Sequence, residues 1–253
     1  MPHLLRTDVP PDAKTPAVRV VLEDSSGSIA LDAQGRWSGW PVQSVALDEQ
    51  IRRVLGSQKL EIPVEALLPR GRHASLRGDS PEAPPSFLLG PVGIVVEEDR
   101  PVFRWRPVAR AREYLVTVST EDGETLIKSP PVVTTEWTPA HPLKRGQSYL
   151  WQVTAATASG AITAPRPPEP EARFRVLEAQ TLEGLQEARR AASGSHLVLG
   201  ILYAKAGLLD DAERELMALA TLNPNTAIPK DLLADLRRQR LQKAAPTTEN
   251  AAQ

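Results

Sequence analysis

The chain has 253 residues, a length that suits two or three small folded units better than one. Its 30 Lys and Arg nearly balance its 31 Asp and Glu, so no overall field attracts nucleic acid or an anionic membrane surface. The absence of Cys excludes disulfides, Cys-ligated zinc and thiol nucleophiles, but it leaves the compartment open. The 24 Pro fall in patches and predict short units joined by stiff linkers.

The first residues of the given sequence predict no targeting signal. Residues 1–16 contain four Pro and no hydrophobic periodicity, which predicts a disordered lead-in. No apolar run approaches the roughly 20 residues of a membrane helix, and the start lacks the apolar core of a signal peptide. As given, the sequence predicts a soluble chain without direct membrane insertion. It fits a cytoplasmic protein or the extracytoplasmic part of a longer, anchored protein.

Residues 17–77 predict a small α+β unit that begins with a β-hairpin. Apolar residues alternate over 18–22 and resume over 29–31. The turn residues between Asp24 and Gly27 predict a hairpin loop longer than the tight two-residue kind. A lone hairpin is marginal in water, so we expect this one to pack on a helix of the same unit or on the next domain.

The rest of this unit predicts a helix, a strand and a second helical turn. A helical period over 47–55 stops at Gly56. Residues 59–62 predict a short strand, and residues 64–68 predict one turn of helix. The Pro-rich composition of 78–90 then predicts a linker.

Residues 91–177 predict an all-β sandwich of seven strands. Large apolar side chains alternate with polar ones, and the Asp122-Gly123 pair predicts a tight turn between two strands. The pattern assigns Trp105, Tyr114 and Tyr149 to the core, whereas we expect Trp151 to be exposed on its strand. Trp137, beside Pro139, is a further candidate for an exposed aromatic platform. We interpret the acidic run 97–99 as a solvated turn.

The same stretch contains residues that are typical of one family of β-sandwich. They comprise a Trp on the second strand, an aromatic residue on the third, and a Gly followed by a Tyr before the sixth, with apolar partners. These residues are Trp105, Tyr114, Val116, Val118, Leu143, Gly146, Tyr149, Val153, Ala155 and Gly160. In this pattern the segment resembles a fibronectin type III domain, although Arg145 and Gln147 replace the usual Pro and Thr. The resemblance implies a hydrogen bond from the Tyr149 hydroxyl to backbone a few residues upstream.

From residue 178 the period changes to helical, and 178–243 predict all-α helical hairpins before a disordered tail at 244–253. Within them, residues 195–226 resemble a single tetratricopeptide repeat. The matching residues are Leu199, Gly200, Tyr203, Gly207, Ala212, Leu216 and Pro224. The resemblance implies that Gly200 and Ala212 let two helices approach closely while Tyr203 and Leu216 fill the seam. His196 and Leu219 stand where the family has Trp and Ala.

A single repeat of this kind needs a partner surface. Such repeats bury their apolar faces against neighbours, and about three are usually needed for independent stability. This one must therefore use its flanking helices, the sandwich or another chain. The order of sandwich and repeat is similar to that in soluble regions of bacterial membrane-tethered regulatory and envelope proteins.

No catalytic, metal or cofactor site is predicted. The four His lack ligand spacing, and the chain has no nucleophile elbow, phosphate loop or dinucleotide fingerprint. The local basic cluster at 70–77 lacks interleaved aromatics, so we interpret it as a solvated loop and expect no nucleic-acid partner. The sequence therefore predicts a protein that is not an enzyme and uses no cofactor.

The leading hypothesis is a non-catalytic scaffold that binds a protein partner or itself through the helical unit, with the sandwich as a rigid spacer. Tyr203, His196, Leu219, Leu232 and Leu236 are the candidate partner-binding residues on the helices. Trp37 and Trp40 are further candidates, although they also fit the core of the small unit. If they are exposed, the alternative is a glycan- or cell-wall-binding protein that uses Trp-bearing loops.

Overall fold

A computed structural model of the chain describes residues 18–68, 87–167 and 169–244. It is a mixture of α and β structure whose C-terminal part is helical, and the described residues contain five α-helices and several β-sheets. The predicted lead-in at 1–16, the basic cluster at 70–77 and the tail from 245 onward lie outside the described residues.

The N-terminal part consists of a three-stranded antiparallel sheet followed by a helix. Its elements are β1 (Val18–Asp24), β2 (Gly27–Asp32), β3 (Trp37–Ser38) and α1 (Val45–Ser57). The hairpin prediction is confirmed, but its loop is shorter than predicted because Asp24 pairs directly with Gly27. Residues 59–62 form no strand, and the helical turn after them is a short 3₁₀ helix at Val64–Ala66.

Two sheets face each other across a core in the middle of the chain. The first has the order β4–β6–β9, with β4 (Leu88–Gly90), β6 (Phe103–Trp105) and β9 (Glu136–Trp137). The second has the order β5–β12–β10–β7–β8, and β11 pairs with β10. Its strands are β5 (Ile94–Val96), β7 (Ala111–Thr120), β8 (Thr125–Lys128), β10 (Ser148–Thr157), β11 (Gly160–Ala164) and β12 (Ala172–Val176). Because β4 is paired, the sheets begin inside the predicted linker.

The core between these sheets contains the aromatic side chains. Phe103, Trp105, Tyr149 and Phe174 are among its largest fully buried residues. The expectation that Trp151 is exposed was wrong: its side chain is 2% exposed, and its indole N–H donates to the carbonyl of Pro91 at 2.6 Å. The Tyr149 hydroxyl donates to the carbonyl of Lys144 at 2.8 Å, which is the backbone bond implied for this residue.

Four helices follow the sheets: α2 (Ala179–Ala191), α3 (His196–Ala206), α4 (Leu209–Leu222) and α5 (Ala227–Ala244). α3 is apolar on nearly every side and is buried along most of its length. It ends at Gly207, whose φ of +81° is a conformation that glycine adopts without strain. A Cβ on Gly207 would lie 2.4 Å from the Cβ of Ala66, so this turn also needs glycine for space.

The close contact between α3 and α4 depends on Gly200. A Cβ at this position would lie 2.9 Å from Cδ2 of Leu216, a side chain that is fully buried. We expect Gly200→Val to lower the free energy of unfolding by about 2 kcal/mol, because overpacking a filled seam forces its neighbours apart. Chemical denaturation measures this change.

Gly184→Ala is the matched control for this substitution. Gly184 lies in α2, where an added Cβ has open space around it. Ala is the better helix former, so this change should raise stability by about 0.5–1 kcal/mol. Equal losses from both substitutions would contradict a specific role for the Gly200 seam.

The helices and the N-terminal elements share one hydrophobic core, which we call the composite core. Leu22, Ile29 and Ile51 from the N-terminal part are buried in the same cluster as Leu216 and Leu232 from the helices. The cover that the apolar faces of these helices require is thus supplied by the start of the same chain. The hairpin accordingly packs on the distant helix α4.

Polar side chains fix this arrangement at the hairpin. The carboxylate of Asp24, which is 8% exposed, accepts from the Ser195 hydroxyl and from the His196 N–H at 2.8 Å, and so caps α3. The amide of Asn223 accepts from the Glu23 N–H at 2.8 Å and donates to the Glu23 carbonyl at 2.7 Å. Asn223 therefore pairs with β1 as a neighbouring strand would.

A second polar connection joins α5 to the irregular segment after α1. The carboxylate of Asp235 accepts from the Leu60 N–H at 2.8 Å, and Gln239 donates to the Leu60 carbonyl at 3.1 Å. Burial by itself would raise the pKa of Asp235, but the hydrogen bonds from Leu60, Arg238 and Gln239 outweigh it and the pKa is lowered. Both backbone groups of Leu60 are thus satisfied by one helix.

The sheets of the middle segment are attached to the helices through Glu97. The Arg189 guanidinium of α2 binds the Glu97 carboxylate with both terminal nitrogens, at 2.7 and 3.1 Å, and stacks over the Tyr203 ring at 5.0 Å. Arg145 donates to the Glu97 carbonyl at 2.7 Å and pairs with Asp99 at 3.1 Å. The interpretation of 97–99 as a solvated turn was therefore wrong for these two carboxylates, which are half-buried ion-pair partners.

Candidate functional site

A groove lies between α1 and α2, with the last turns of α3 as its floor. It encloses about 1350 Å³ and is open to solvent along one side. One wall is formed by residues 40–50, which include the loop before α1, and the other by residues 180–193 of α2 and the turn after it. We call it the α1–α2 groove. Its two walls come from segments more than a hundred residues apart, so it exists only when the composite core is assembled.

The walls of the α1–α2 groove combine apolar and polar side chains. The apolar contribution comes from Leu47 on α1, Leu185 on α2 and Leu202 on α3. Amides and hydroxyls lie between these leucines, and the charged residues of the lining are Glu187, Arg190 and Lys205. A mixed lining of this kind suits a ligand with both apolar and hydrogen-bonding groups.

Gln50 is the most unusual residue of this lining. Its side chain is 4% exposed, and its Oε1 accepts a hydrogen bond from the Lys205 ammonium at 3.0 Å. Within the part of the chain that the structure describes, its buried Nε2 has no hydrogen-bond acceptor. An unsatisfied buried donor lowers the stability of a fold by about 1–3 kcal/mol. Its presence at this position therefore indicates a role other than stabilising the fold.

Lys205 is the only Lys or Arg in α3. Its side chain is exposed, and the bond to Gln50 holds its ammonium group at the floor of the α1–α2 groove. An ammonium has three donor protons, and Gln50 uses one of them. Within the described residues, two donors of Lys205 therefore remain for a ligand in the groove.

Trp40 is the one predicted partner-binding residue that lines the groove. It is 9% exposed, its indole N–H donates to Asp48 at 2.9 Å, and the Arg52 guanidinium lies 5.0 Å from its ring centroid. The hydrogen bonds from Arg52 and Trp40 lower the pKa of Asp48. Trp37 is 7% exposed and belongs to the composite core. Neither Trp forms an exposed aromatic platform.

The candidates on the helices do not form a surface patch. Leu219, Leu232 and Leu236 are fully buried in the composite core, and their burial against the chain itself removes them from any docking surface. Tyr203 is 8% exposed beneath Arg189, and burial raises the pKa of its hydroxyl. The apolar pattern that suggested partner contacts is therefore satisfied by the N-terminal segment of the same chain.

His196 has a structural place at the start of α3. Its backbone N–H donates to Asp24, and its Nδ1 lies 2.7 Å from Oε2 of Glu215 on α4. Among the described residues there is no cluster of three or more His, Asp or Glu arranged to hold a metal ion. Within the same residues, no helix is long and apolar enough to cross a membrane.

The residues that sequence reasoning missed are Gln50 and Lys205. Gln50 directly precedes Ile51 in the apolar stripe of α1, and Lys205 interrupts the otherwise apolar helix α3. The polar residue at each of these positions could have been recognised from the sequence. The hydrogen bond between them could not, because the two residues are 155 positions apart and neither local pattern carries information about the other.

Comparison with known proteins adds little to this geometry. The sequence matches no protein-family model and no curated protein. Among solved structures, the chain is similar to the crystal structure of CopC from Methylosinus trichosporium OB3b, with 17% identity over 36% of this chain and 92% of that chain, and a TM-score of 0.26. A likeness at that TM-score carries no argument about the function of this chain.

Proposed function

We propose that the chain is a non-catalytic protein-interaction module whose α1–α2 groove receives a segment of a partner protein. The observation that carries this proposal is the buried Nε2 of Gln50, which has no acceptor among the described residues and lies beside Lys205 in the lining of the groove. An unsatisfied buried donor destabilises the fold, and a ligand that accepts a hydrogen bond from it would explain why the residue is present.

The size and shape of the groove favour a peptide segment over a small molecule. Small-molecule pockets measure about 300–1000 Å³ and enclose most of their ligand. The α1–α2 groove is larger and open along its length. Grooves between helices commonly receive a partner helix or an extended segment by its apolar face.

In this proposal the chain has two domains, one inserted into the other. The inserted domain is a fibronectin type III-like sandwich over about 87–177, supported by the Tyr149 to Lys144 hydrogen bond. The other domain combines residues 18–68 with 178–244, and its α3–α4 pair is a tetratricopeptide-like repeat, supported by the close packing of Gly200 on Leu216. The sandwich acts as a spacer, and the composite domain carries the groove.

The burial of Trp37 and Trp40 speaks against glycan binding. Sugar-binding platforms use exposed aromatic faces, whereas these two rings are about nine-tenths buried. Trp137, the other candidate for such a role, is half-buried and stacked on Phe103. We therefore do not retain the glycan-binding alternative.

A plugged groove tests the proposed function. Gly184 lines the groove, and an added Cβ there meets no other atom, so Gly184→Phe should fill the groove without disturbing the fold. A photo-crosslinking residue at Thr181, on the same wall, reports what occupies the groove in a lysate of the source organism. We expect Gly184→Phe to reduce crosslinks that map to one defined partner segment by about tenfold or more, a loss that a blocked site produces.

Gly56→Phe is the matched control for the plug. Gly56 is also a helical glycine with open space around it, but it lies on α1 outside the groove lining. The crosslinks should be unchanged in this variant. Crosslinks that are diffuse, or equally abundant in the wild type and the Gly184→Phe variant, would refute binding in the groove.

A further inference from the structure

We propose that the α1–α2 groove recognises an acidic segment, with the ammonium of Lys205 contacting an Asp or Glu carboxylate of the partner and Gln50 acting as a positioning residue. This inference rests on the proposed function and specifies the chemistry of its ligand. Its basis is the arrangement of Gln50 and Lys205 at the floor of the groove.

One buried donor without an acceptor lies next to an exposed ammonium group at this point. Gln50 is 4% exposed and its Nε2 has no acceptor among the described residues, while Lys205 uses one of three ammonium donors on Oε1 of Gln50. The Gln50 bond restricts an otherwise flexible Lys side chain to one direction. A ligand that completes this arrangement must accept hydrogen bonds, and a carboxylate does so with several lone pairs.

The charges of the groove favour an anion at the same place. Among the described residues, the lining holds two cations, Arg190 and Lys205, against one anion, Glu187. The Gln50 amide adds a dipole whose oxygen is already occupied by Lys205, so its remaining hydrogens present positive charge. A basic partner segment would place like charges together here, which is costly in a partly desolvated site.

The apolar part of the lining defines the rest of the segment. Leu47, Leu185 and Leu202 come from all three helices that form the groove, and a bound segment gains affinity by covering them. The expected ligand is therefore amphipathic, with apolar side chains on one face and an acidic residue among them. Apolar contacts give such a segment its affinity, and the carboxylate fixes its position along the groove.

Selection from a library of short random peptides on the full chain tests this inference. We expect the selected peptides to share an Asp or Glu flanked by apolar residues, and the Gly184→Phe plug to abolish their binding. Fluorescence anisotropy then measures the dissociation constant of the best peptide and of its Asp→Asn or Glu→Gln form. The carboxylate should contribute about tenfold or more in affinity, as a desolvated charge-assisted bond does.

Variants of the chain assign that contribution to single residues. Lys205→Met should weaken the acidic peptide about as much as removal of its carboxylate does, and the two changes together should cost no more than either alone. Gln50→Met should weaken the acidic peptide several-fold but leave the neutral peptide unchanged, which a merely structural defect would not do. Lys128→Met, on a strand of the distant sheet, serves as control and should change neither affinity.

Different failures have different meanings. Peptides that the Gly184→Phe plug excludes, but that lack an acidic residue or ignore Lys205→Met, would overturn the acidic-ligand inference and leave the proposed function standing. Selection that yields no peptide sensitive to the plug would overturn both.

Discussion

A fragment of residues 178–253 produced alone is expected to be largely unfolded. Its helices share the composite core with ten buried apolar residues of the N-terminal part: Leu22, Ile29, Trp37, Trp40, Leu47, Ile51, Val54, Leu55, Leu60 and Ala66. Losing this cover leaves several leucines of α3, α4 and α5 in water, at about 1.5–3 kcal/mol for each side chain. Their sum is comparable to the about 5–15 kcal/mol by which a typical domain is stable.

Far-ultraviolet circular dichroism of the fragment measures this effect directly. Addition of a second fragment, residues 1–77, should restore helical signal, and sedimentation should then show a one-to-one complex. A fragment of residues 87–177 serves as control and should unfold cooperatively by itself, because its sheets enclose a core of their own. A well-folded, monomeric 178–253 fragment would contradict the shared core.

Replacement of Asp24 by Ala is expected to be the most damaging single substitution that we consider. Asp24 is buried and serves both the hairpin turn, through the Ser25 N–H, and the start of α3, through Ser195 and His196. Without the carboxylate the buried Ser195 hydroxyl and the half-buried His196 N–H lose this acceptor. Each such donor costs about 1–3 kcal/mol, so we expect a loss of about 4 kcal/mol in the free energy of unfolding.

Urea denaturation of the full chain compares this variant with two others. Asp24→Asn keeps one acceptor oxygen and should lose about half as much stability, since the remaining bonds are no longer charge-assisted. Asp122→Ala changes an exposed turn residue and should stay within about 0.5 kcal/mol of the wild type. A loss below about 1 kcal/mol for Asp24→Ala would show that the cap is dispensable.

Local patterns predicted the elements of this chain well. The alternation around Trp105, Tyr114 and Tyr149 predicted buried strands, and the helical period from residue 178 predicted the C-terminal helices. Both rest on short-range periodicity, which is written into neighbouring residues. The prediction for Trp151 departed from this rule: at a period of two, Trp151 shares the face of Tyr149 and Val153, and its ring lies in the same core, 4.9 Å from that of Phe103.

Long-range pairing was beyond the reach of these patterns. Glu23 and Asn223 are 200 residues apart, and each sits in an ordinary local context. The sequence pattern correctly indicated that Leu219, Leu232 and Leu236 must be buried against another surface. It did not indicate whether that surface belongs to a second protein or to the start of the same chain. Only the tertiary structure distinguishes these two, and it assigns the cover to the chain itself. The α1–α2 groove escaped prediction for the same reason.

The shared core also determines how the chain responds to mechanical load. β1 and α5 lie at opposite ends of the described sequence, yet both pack on α4 within one core. Tension applied at these two ends is transmitted through the contacts among β1, α4 and α5 and bypasses the sheets inserted between them. The sheets therefore bear no load until that core separates, and their own unfolding would give a second, later extension.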